Sequence, residues 1–506
     1  SFERTEVIQT LLEIPQQTSC NGFEILDDKG GKLTVQHCEK PVPSYPVVQS
    51  PNDTPNIFPM TQHNIRVQLP QIPPMGYRTF IVKPIKKLKA SYPKSMCTGP
   101  QTMENEYLEV TINSNGTLAV KDKKTGRMFD RMGYFHDTSE IGNPWEHHTV
   151  AHEAVYTTLN ENAQIVKIMD GELETVFSVT IDWQLPCGRT KDDKARSEHL
   201  NPYKITNIVT LRKGQPWIEI ETLLDNTVED HYLQVCFPTA IGTDKVSVQG
   251  QFDVVERSVL PPDYSLYDEK PQTEQPMNSF VDISDGKIGL ALLNEGLKAY
   301  EACNDPDRTL KLTMLRCFPL RICVTHEMID YSQIEKGSQC LGKHSFRYAV
   351  MPHKGNWQQA GLWQAAERFN LAFLAAQTAP TKHGTEPLSK SFLEINPQNL
   401  HVSAIKRSES GKGWVVRLFN PFDRTIAGGI RFNLGNSGSL TSLSPVESIK
   451  AEFVLPAGKG KKWSKVRTVT LEEIPEHDLT MDANGWVNFK IAKKKIVTIE
   501  FFNSNK

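Results

Sequence analysis

Much that would fix a class is missing from this sequence. No apolar run approaches the ~18 residues that span a membrane, so no membrane partner is expected. Neither charge dominates: 57 Lys and Arg stand against 59 Asp and Glu, a net charge of −2, which leaves no basic footprint for nucleic acid. Cysteines are nine, an odd number, and no Cys-x-x-Cys occurs. A disulfide framework or a cysteine zinc site is therefore not expected, and a reducing compartment such as the cytoplasm is favoured. There is no G-x-S-x-G, P-loop or G-x-G-x-x-G, which disfavours a hydrolase elbow, an NTPase and a dinucleotide site. No fixed-period repeat or heptad is visible. No initiator Met or charged-apolar leader stands at Ser1, so the chain is expected to begin inside a longer product or after processing.

What is present is β-pattern. The 506 residues suffice for about three domains. Residues 1–82 read as a small β-domain, with Pro41–Pro59 as a surface loop because proline removes ladder donors. Residues 83–103, rich in Lys and Pro, read as a linker. From Glu104, Leu108, Val110 and Ile112 alternate with polar residues, and Asn115-Gly116 turns the chain into Leu118 and Val120. A second hairpin joins Tyr203–Leu211 to Trp217–Leu224. Such runs continue to Val350 and predict a large antiparallel β-sandwich over 104–350. Asn356 as N-cap with Gln359 three residues on predicts one helix near 356–374, with Leu362, Ala366, Phe369 and Phe373 on one face. Residues 351–390 then form a helix-and-loop connection. Residues 391–506 return to strands as a C-terminal β-domain, with a flexible basic loop at Gly458–Lys462.

The stretch Gln275–Phe318 is the most structured. Three β-runs, Phe280–Ile283, Ile288–Asn294 and Thr309–Leu315, are visible, and Asp285-Gly286 separates the first two. Leu310, Leu312 and Met314 share one parity. Arg316 falls in the same parity, and an inward guanidinium at a strand end needs a carboxylate, carbonyls or a wet cleft.

Two constellations tempt a chemical reading. His136-Asp137, His147, His148 and His152-Glu153 would bring His148 and His152 onto one helical face. Gly142, Asn143 and Pro144 precede them, however, and the β-like run Val155–Leu159 follows, so solvated or structural histidines are expected instead of a zinc site. The 59 acidic residues offer too many pairs to choose the two carboxyls of a glycosidase.

Several segments in order carry a family resemblance: ENEYLEVTINSNGTLAVKDKKTGRMF (104–129), GNPWEHH (142–148), QFDVVER (251–257), the stretch 275–318, FRYAVMPHKGNW (346–357) and VVRLFNP (415–421). Together they resemble the C-terminal β-half of the family 38 glycoside hydrolases, the zinc-dependent α-mannosidases. The resemblance implies a supersandwich of galactose mutarotase type flanked by smaller β-sandwich domains. It implies that the zinc ligands and the aspartate nucleophile belong to an N-terminal catalytic domain absent from these residues. His136-Asp137 and His477-Asp478 lack the family's following residues or its order. Neither catalytic residues nor metal ligands are therefore assigned here, and the chain alone is expected to be inactive. The resemblance assigns substrate-binding roles to Arg316, Asn143 and Trp145, although the animal enzymes carry two consecutive arginines where this chain has Arg316-Cys317. Implied partners are the chain's own catalytic domain and an α-mannoside or mannose-containing glycan; homo-oligomerisation is left open. Two rivals stand beside this reading. One is an autonomous carbohydrate-binding module, which lacks a repeated aromatic platform. The other is an aldose-epimerase-like enzyme, for which no His/Glu pair can be named.

Overall fold

A computed structural model describes residues 2–18, 22–49, 54–86, 94–266, 271–322, 328–330, 336–379, 384, 386–433 and 463–503. The Gly458–Lys462 loop lies outside them. The protein is mainly β, and every strand pair in its named sheets is antiparallel.

Two large sheets form the central sandwich. The nine-stranded sheet runs, in spatial order, Ala163–Met169, Glu174–Pro186, Leu200–Arg212, Ile218–Asn226, Gly342–Lys354, Ile288–Glu295, Phe280–Ser284, Lys245–Gly250 and Asp253–Ser258. The six-stranded sheet runs Tyr156–Thr157, Tyr134–Ser139, His231–Phe237, Leu310–Arg316, Ala299–Ala302 and Glu274–Pro276. Phe177, Ile205, Ile220, Tyr348 and Leu292 of the first sheet share one core with Phe135, Leu233, Val235, Leu310 and Leu312 of the second. Phe237 meets Tyr348 edge-on across the gap, ring centres 5.9 Å apart. Burying each such side chain stabilises by about 1.5–3 kcal/mol. A five-stranded sheet, from Cys97–Gly99 to Met128–Met132, adds Met103, Val110, Val120 and Phe129 to that core.

The expected linker is therefore shorter than 83–103. Ile81–Ile85 is a strand paired with Gly22–Leu26, and Cys97–Gly99 and Thr102–Glu104 open the five-stranded sheet. Met96 and Met103 at its C-terminal end are buried in the core. Pro41–Pro59 likewise contains the short strands Val42–Ser44, Val47–Val48 and Asn56–Ile57. The predicted hairpins at Asn115-Gly116 and Asp285-Gly286 form, with Gly116 and Gly286 both at φ +84°, where a side chain would strain the turn.

The nine-stranded sheet is covered on its second face too. Phe280, Leu293, Ala349 and Met351 pack there against Trp357, Leu362, Trp363 and Phe369. This is why Ile288–Glu295 reads as a continuous apolar run instead of alternating. The helix over that face is capped as expected: the Asn356 side chain accepts from Gln359 N, and the Gln359 side chain accepts from Asn356 N. Its length differs from expectation. Gly361 at φ +66° ends the first helix, Trp357–Ala360, and a second, Leu362–Asn370, follows. Phe373 lies beyond it, under the Arg4 guanidinium at 4.4 Å.

Smaller sheets flank the centre. Arg4–Pro15 and Met60–Ile72 pair around Leu12, Ile14, Ile65 and Val67. This N-terminal sheet docks through Glu174, fully enclosed, whose carboxylate takes Arg66 Nε at 2.7 Å and Arg212 Nε at 2.5 Å. The C-terminal strands form a five-stranded and a three-stranded sheet around Val416, Leu418, Ile430, Val487, Ile499 and Phe501.

Candidate functional site

The segment after Tyr134–Ser139 crosses the end of the six-stranded sheet. Glu140 lies at its start with no exposed surface. A bare carboxylate there would be costly, and four donors meet it. Oε1 accepts from Gly142 N at 2.6 Å and His148 N at 3.2 Å; Oε2 accepts from Arg316 Nε at 2.8 Å and faces His147 Nδ1 at 2.7 Å. Burial alone would raise the Glu140 pKa, but the His147 hydrogen bond and the charges of His147 and Arg316 outweigh it and hold the group below the ordinary carboxylate range.

Arg316 reaches this carboxylate by a route that alternation did not predict. Leu312 pairs with Val235 and Thr313 with Gln234, but Leu315 pairs with Leu233. Met314 is an extra residue, a bulge, and it reverses the parity of everything after it. Arg316 therefore leaves the apolar face and joins Lys311 and Thr313 on the other. There its NH2 group donates to Asn143 O at 2.5 Å and its NH1 group to Pro144 O at 3.3 Å.

The loop it holds is built for rigidity. Asn143 Oδ1 accepts from Trp145 N at 2.9 Å and Glu146 N at 3.0 Å, an Asx turn. A Cβ at Gly142 would lie 1.9 Å from Glu146 O, so only glycine fits. Asn143 is buried at 2 % exposure, and its amide oxygen serves the loop. Trp145, by contrast, is 64 % exposed. The three residues assigned by resemblance thus come together: Arg316 and Asn143 as the loop's support, Trp145 as its projecting tip.

The histidines do not converge. His147 lies against Tyr232 with ring centres 4.6 Å apart, and His148 Nε2 faces Glu146 Oε2 at 3.2 Å. His152 is exposed, its N–H bonded to Lys194 O at 2.8 Å, and Val155–Leu159 is only a two-residue strand followed by a 3-10 turn. Among the described residues no group of three or more His, Cys, Asp or Glu is placed to hold a metal, and these side chains do not fit zinc.

Behind the loop lies a polar sheet face that the sequence reading passed over. Gln234 Nε2 donates to Tyr232 Oη at 2.8 Å and Glu301 Oε2 at 3.2 Å; Lys311 Nζ pairs with Glu301 at 3.3 Å; Tyr232 Oη donates to Glu274 at 3.0 Å. Thr313 also bonds Glu274. His136 shares this face, and burial, helped by the Lys311 charge, brings its pKa down to about 4. The signal was available: in Tyr134-Phe-His136-Asp-Thr138 and Tyr232-Leu-Gln234-Val-Cys236, alternate positions are polar on a strand whose other face is core.

Comparison with known proteins gives this architecture its place. Residues 103–319 match the Glycosyl hydrolases family 38 C-terminal domain, and residues 399–499 match the Glycosyl hydrolases family 38 C-terminal beta sandwich domain. A putative mannosylglycerate hydrolase of Halalkalibacterium halodurans is 24% identical over 365 residues, which are 69% of this chain and 39% of that protein. Alpha-mannosidase G of Dictyostelium discoideum is also 24% identical over 365 residues, 69% of this chain and 30% of that protein. The crystal structure of an alpha-mannosidase from Enterococcus faecalis V583 superposes with a TM-score of 0.78 at 21% identity, over 99% of this chain and 55% of that one, a likeness of fold. The chain thus spans well under half the length of these two sequence relatives. Together the matches define the β-rich part of a glycoside hydrolase. The chain belongs to glycoside hydrolase family 38, whose C-terminal domains it carries.

Proposed function

We propose that this chain is the non-catalytic C-terminal portion of a zinc-dependent, retaining α-mannosidase acting on terminal α-mannosides. In this reading its partners are a catalytic domain outside these residues, which holds the zinc and the nucleophile, and the α-mannoside itself. The 104–350 sandwich buttresses that domain, the 351–390 segment connects it to the C-terminal β-domain, and the 142–148 loop borders the sugar pocket. One observation carries the proposal: a large exposed aromatic, Trp145, is held from beneath by the buried Glu140–Arg316 pair. A largely exposed aromatic ring on a braced loop is available to a partner, and a sugar's C–H face is a fitting one for it. Arg316 and Asn143 contribute to substrate binding by setting the backbone under that ring.

Nitrophenol release from a p-nitrophenyl α-mannoside tests this. The isolated chain should release none, with or without zinc. In the longer protein that includes the catalytic part, Trp145→Ala should lower kcat/KM about tenfold, roughly 1.4 kcal/mol of transition-state stabilisation, at unchanged melting temperature. Zinc-dependent turnover by the isolated chain would overturn the assignment.

A further inference from the structure

We propose that Cys340 and Cys317 form a peroxide-reactive thiol pair that closes to a disulfide, with Cys340 as the attacking and Cys317 as the resolving thiol. Cys317 directly follows Arg316, is fully buried, and its N–H donates to His231 O at 2.9 Å. Cys340 ends the 3-10 turn Gly337–Gln339 with φ +49°, and it is only partly buried. One side chain bridges the two. Asn226 Nδ2 lies 3.6 Å from Cys317 Sγ, 2.9 Å from Gln339 O and 3.2 Å from Cys340 O. The Cys340 thiol faces Ser338 O at 3.8 Å, and the two thiols lie near enough to shift each other's ionisation.

The surroundings divide the roles. The neighbouring Cys317 thiol pulls the Cys340 thiol down to about 6, against burial and with help from the nearby His344 and His231. The same proximity, together with burial, pushes Cys317 well up, so Cys317 keeps its proton. His231 is fixed where it acts: Nδ1 faces Asp137 Oδ2 at 2.6 Å and Nε2 faces Asn226 Oδ1 at 3.1 Å, while Arg196 holds the other Asp137 oxygen. Elsewhere in the sandwich burial raises the thiols; Cys303 is pushed up to about 12, which leaves it protonated and unreactive.

The chemistry balances with a hydroperoxide as oxidant. The Cys340 thiolate attacks the peroxide, the O–O bond breaks, and Cys340 sulfenic acid and hydroxide form. Cys317 sulfur then attacks the sulfenic sulfur; the S–S bond forms, the S–O bond breaks, and the Cys317 proton leaves with the hydroxyl as water. The bridge ties the end of the strand bearing Arg316 to the start of Gly342–Lys354.

Hydrogen peroxide treatment at pH 7, alkylation of remaining thiols and non-reducing peptide mapping test the proposal. The expected result is a Cys317–Cys340 linked peptide, lost after dithiothreitol. Its formation should slow about tenfold from pH 7 to pH 5, as the thiolate fraction falls. Cys317→Ser should leave a Cys340 sulfenic acid that dimedone traps. Because the unsubstituted chain gives the deciding map, an unfolded variant would not rescue the idea. Cys340 found unmodified, oxidised to sulfinic acid, or linked to Cys323 or any other cysteine would overturn it.

Discussion

Replacing Arg316 with alanine tests whether the Glu140 contact is structural. The pair is well enclosed, with the Arg316 side chain 14% exposed and Glu140 at 0%. Breaking a buried pair from one side costs about 3–5 kcal/mol where the remaining charge is left alone. Here Gly142 N, His148 N and His147 Nδ1 still face the Glu140 carboxylate, so the loss falls to the lower end, about 3 kcal/mol, near the bottom of the sum of one hydrogen bond to a charged group (~1.5–3 kcal/mol) and two weaker ones to carbonyls (~0.5–1.5 kcal/mol each). For a sandwich of this size that corresponds to a midpoint lowered by roughly 6–12 °C in a calorimetric scan at pH 7. The pH dependence fixes the sign. Glu140 in the folded protein titrates below its ordinary value, so its stabilisation is fully present above the unfolded pKa of about 4.3 and fades as pH falls through the folded value. The gap between wild type and Arg316→Ala should therefore be full at pH 7 and shrink below about pH 4. Arg316→Ala combined with Glu140→Gln should recover part of the loss, since no charge is then stranded. A midpoint within 1 °C of wild type (about the error of such a scan), or a loss undiminished at low pH, would refute the reasoning.

Two further outcomes follow from groups nearby. His136, brought down to about 4 in the fold, stays neutral while the unfolded chain takes up a proton near 6.5, so the protein loses stability as pH falls from about 6.5 to 4, by up to about 3 kcal/mol in all. Urea midpoints at pH 7 and pH 4.5 should lie closer together in His136→Gln, and a His136 ring proton titrating near pH 6.5 by NMR would contradict the assignment. Gly142→Ala should force the loop to rebuild, because its Cβ would sit 1.9 Å from a backbone oxygen, with a loss of about 1–3 kcal/mol and faster protease cleavage near Trp145; an unchanged cleavage pattern would show that the loop yields freely.

The sequence reached far into the fold and less far into the site, for physical reasons visible at single residues. Hairpins at Asn115-Gly116 and Asp285-Gly286 were legible because turn residues and period-two alternation are local. So was the Asn356 cap. The break at Gly361 was missed because glycine within a helical pattern looks like a mild defect until its φ is known. The turn of Arg316 was hidden by the bulge at Met314: a bulge is decided by the partner strand, and nothing in LTMLR announces it. Glu140 went unnoticed because its donors come from residues 142, 147, 148 and 316, and only folding brings them together. Trp145, Asn143 and Arg316 were named by resemblance, which supplied a neighbourhood but not the division between support and tip.

The order of strands in the nine-stranded sheet bears on how the chain is made. Gly342–Lys354 pairs with Ile218–Asn226 on one side and with Ile288–Glu295 on the other. Until it emerges from the ribosome both neighbours keep an open edge, and the two halves of the sheet are not joined. At bacterial or eukaryotic rates, the interval between residues 226 and 354 is roughly 6–25 s. Once residue 295 has been made, Ile288–Glu295, among the most apolar strands in the protein, is a template for any passing strand for the last roughly 3–12 s of that interval. Closure by such distant pairing is also intrinsically slow. The nascent chain is thus most exposed to aggregation just before its central strand arrives, a window in which chaperone contact would count most.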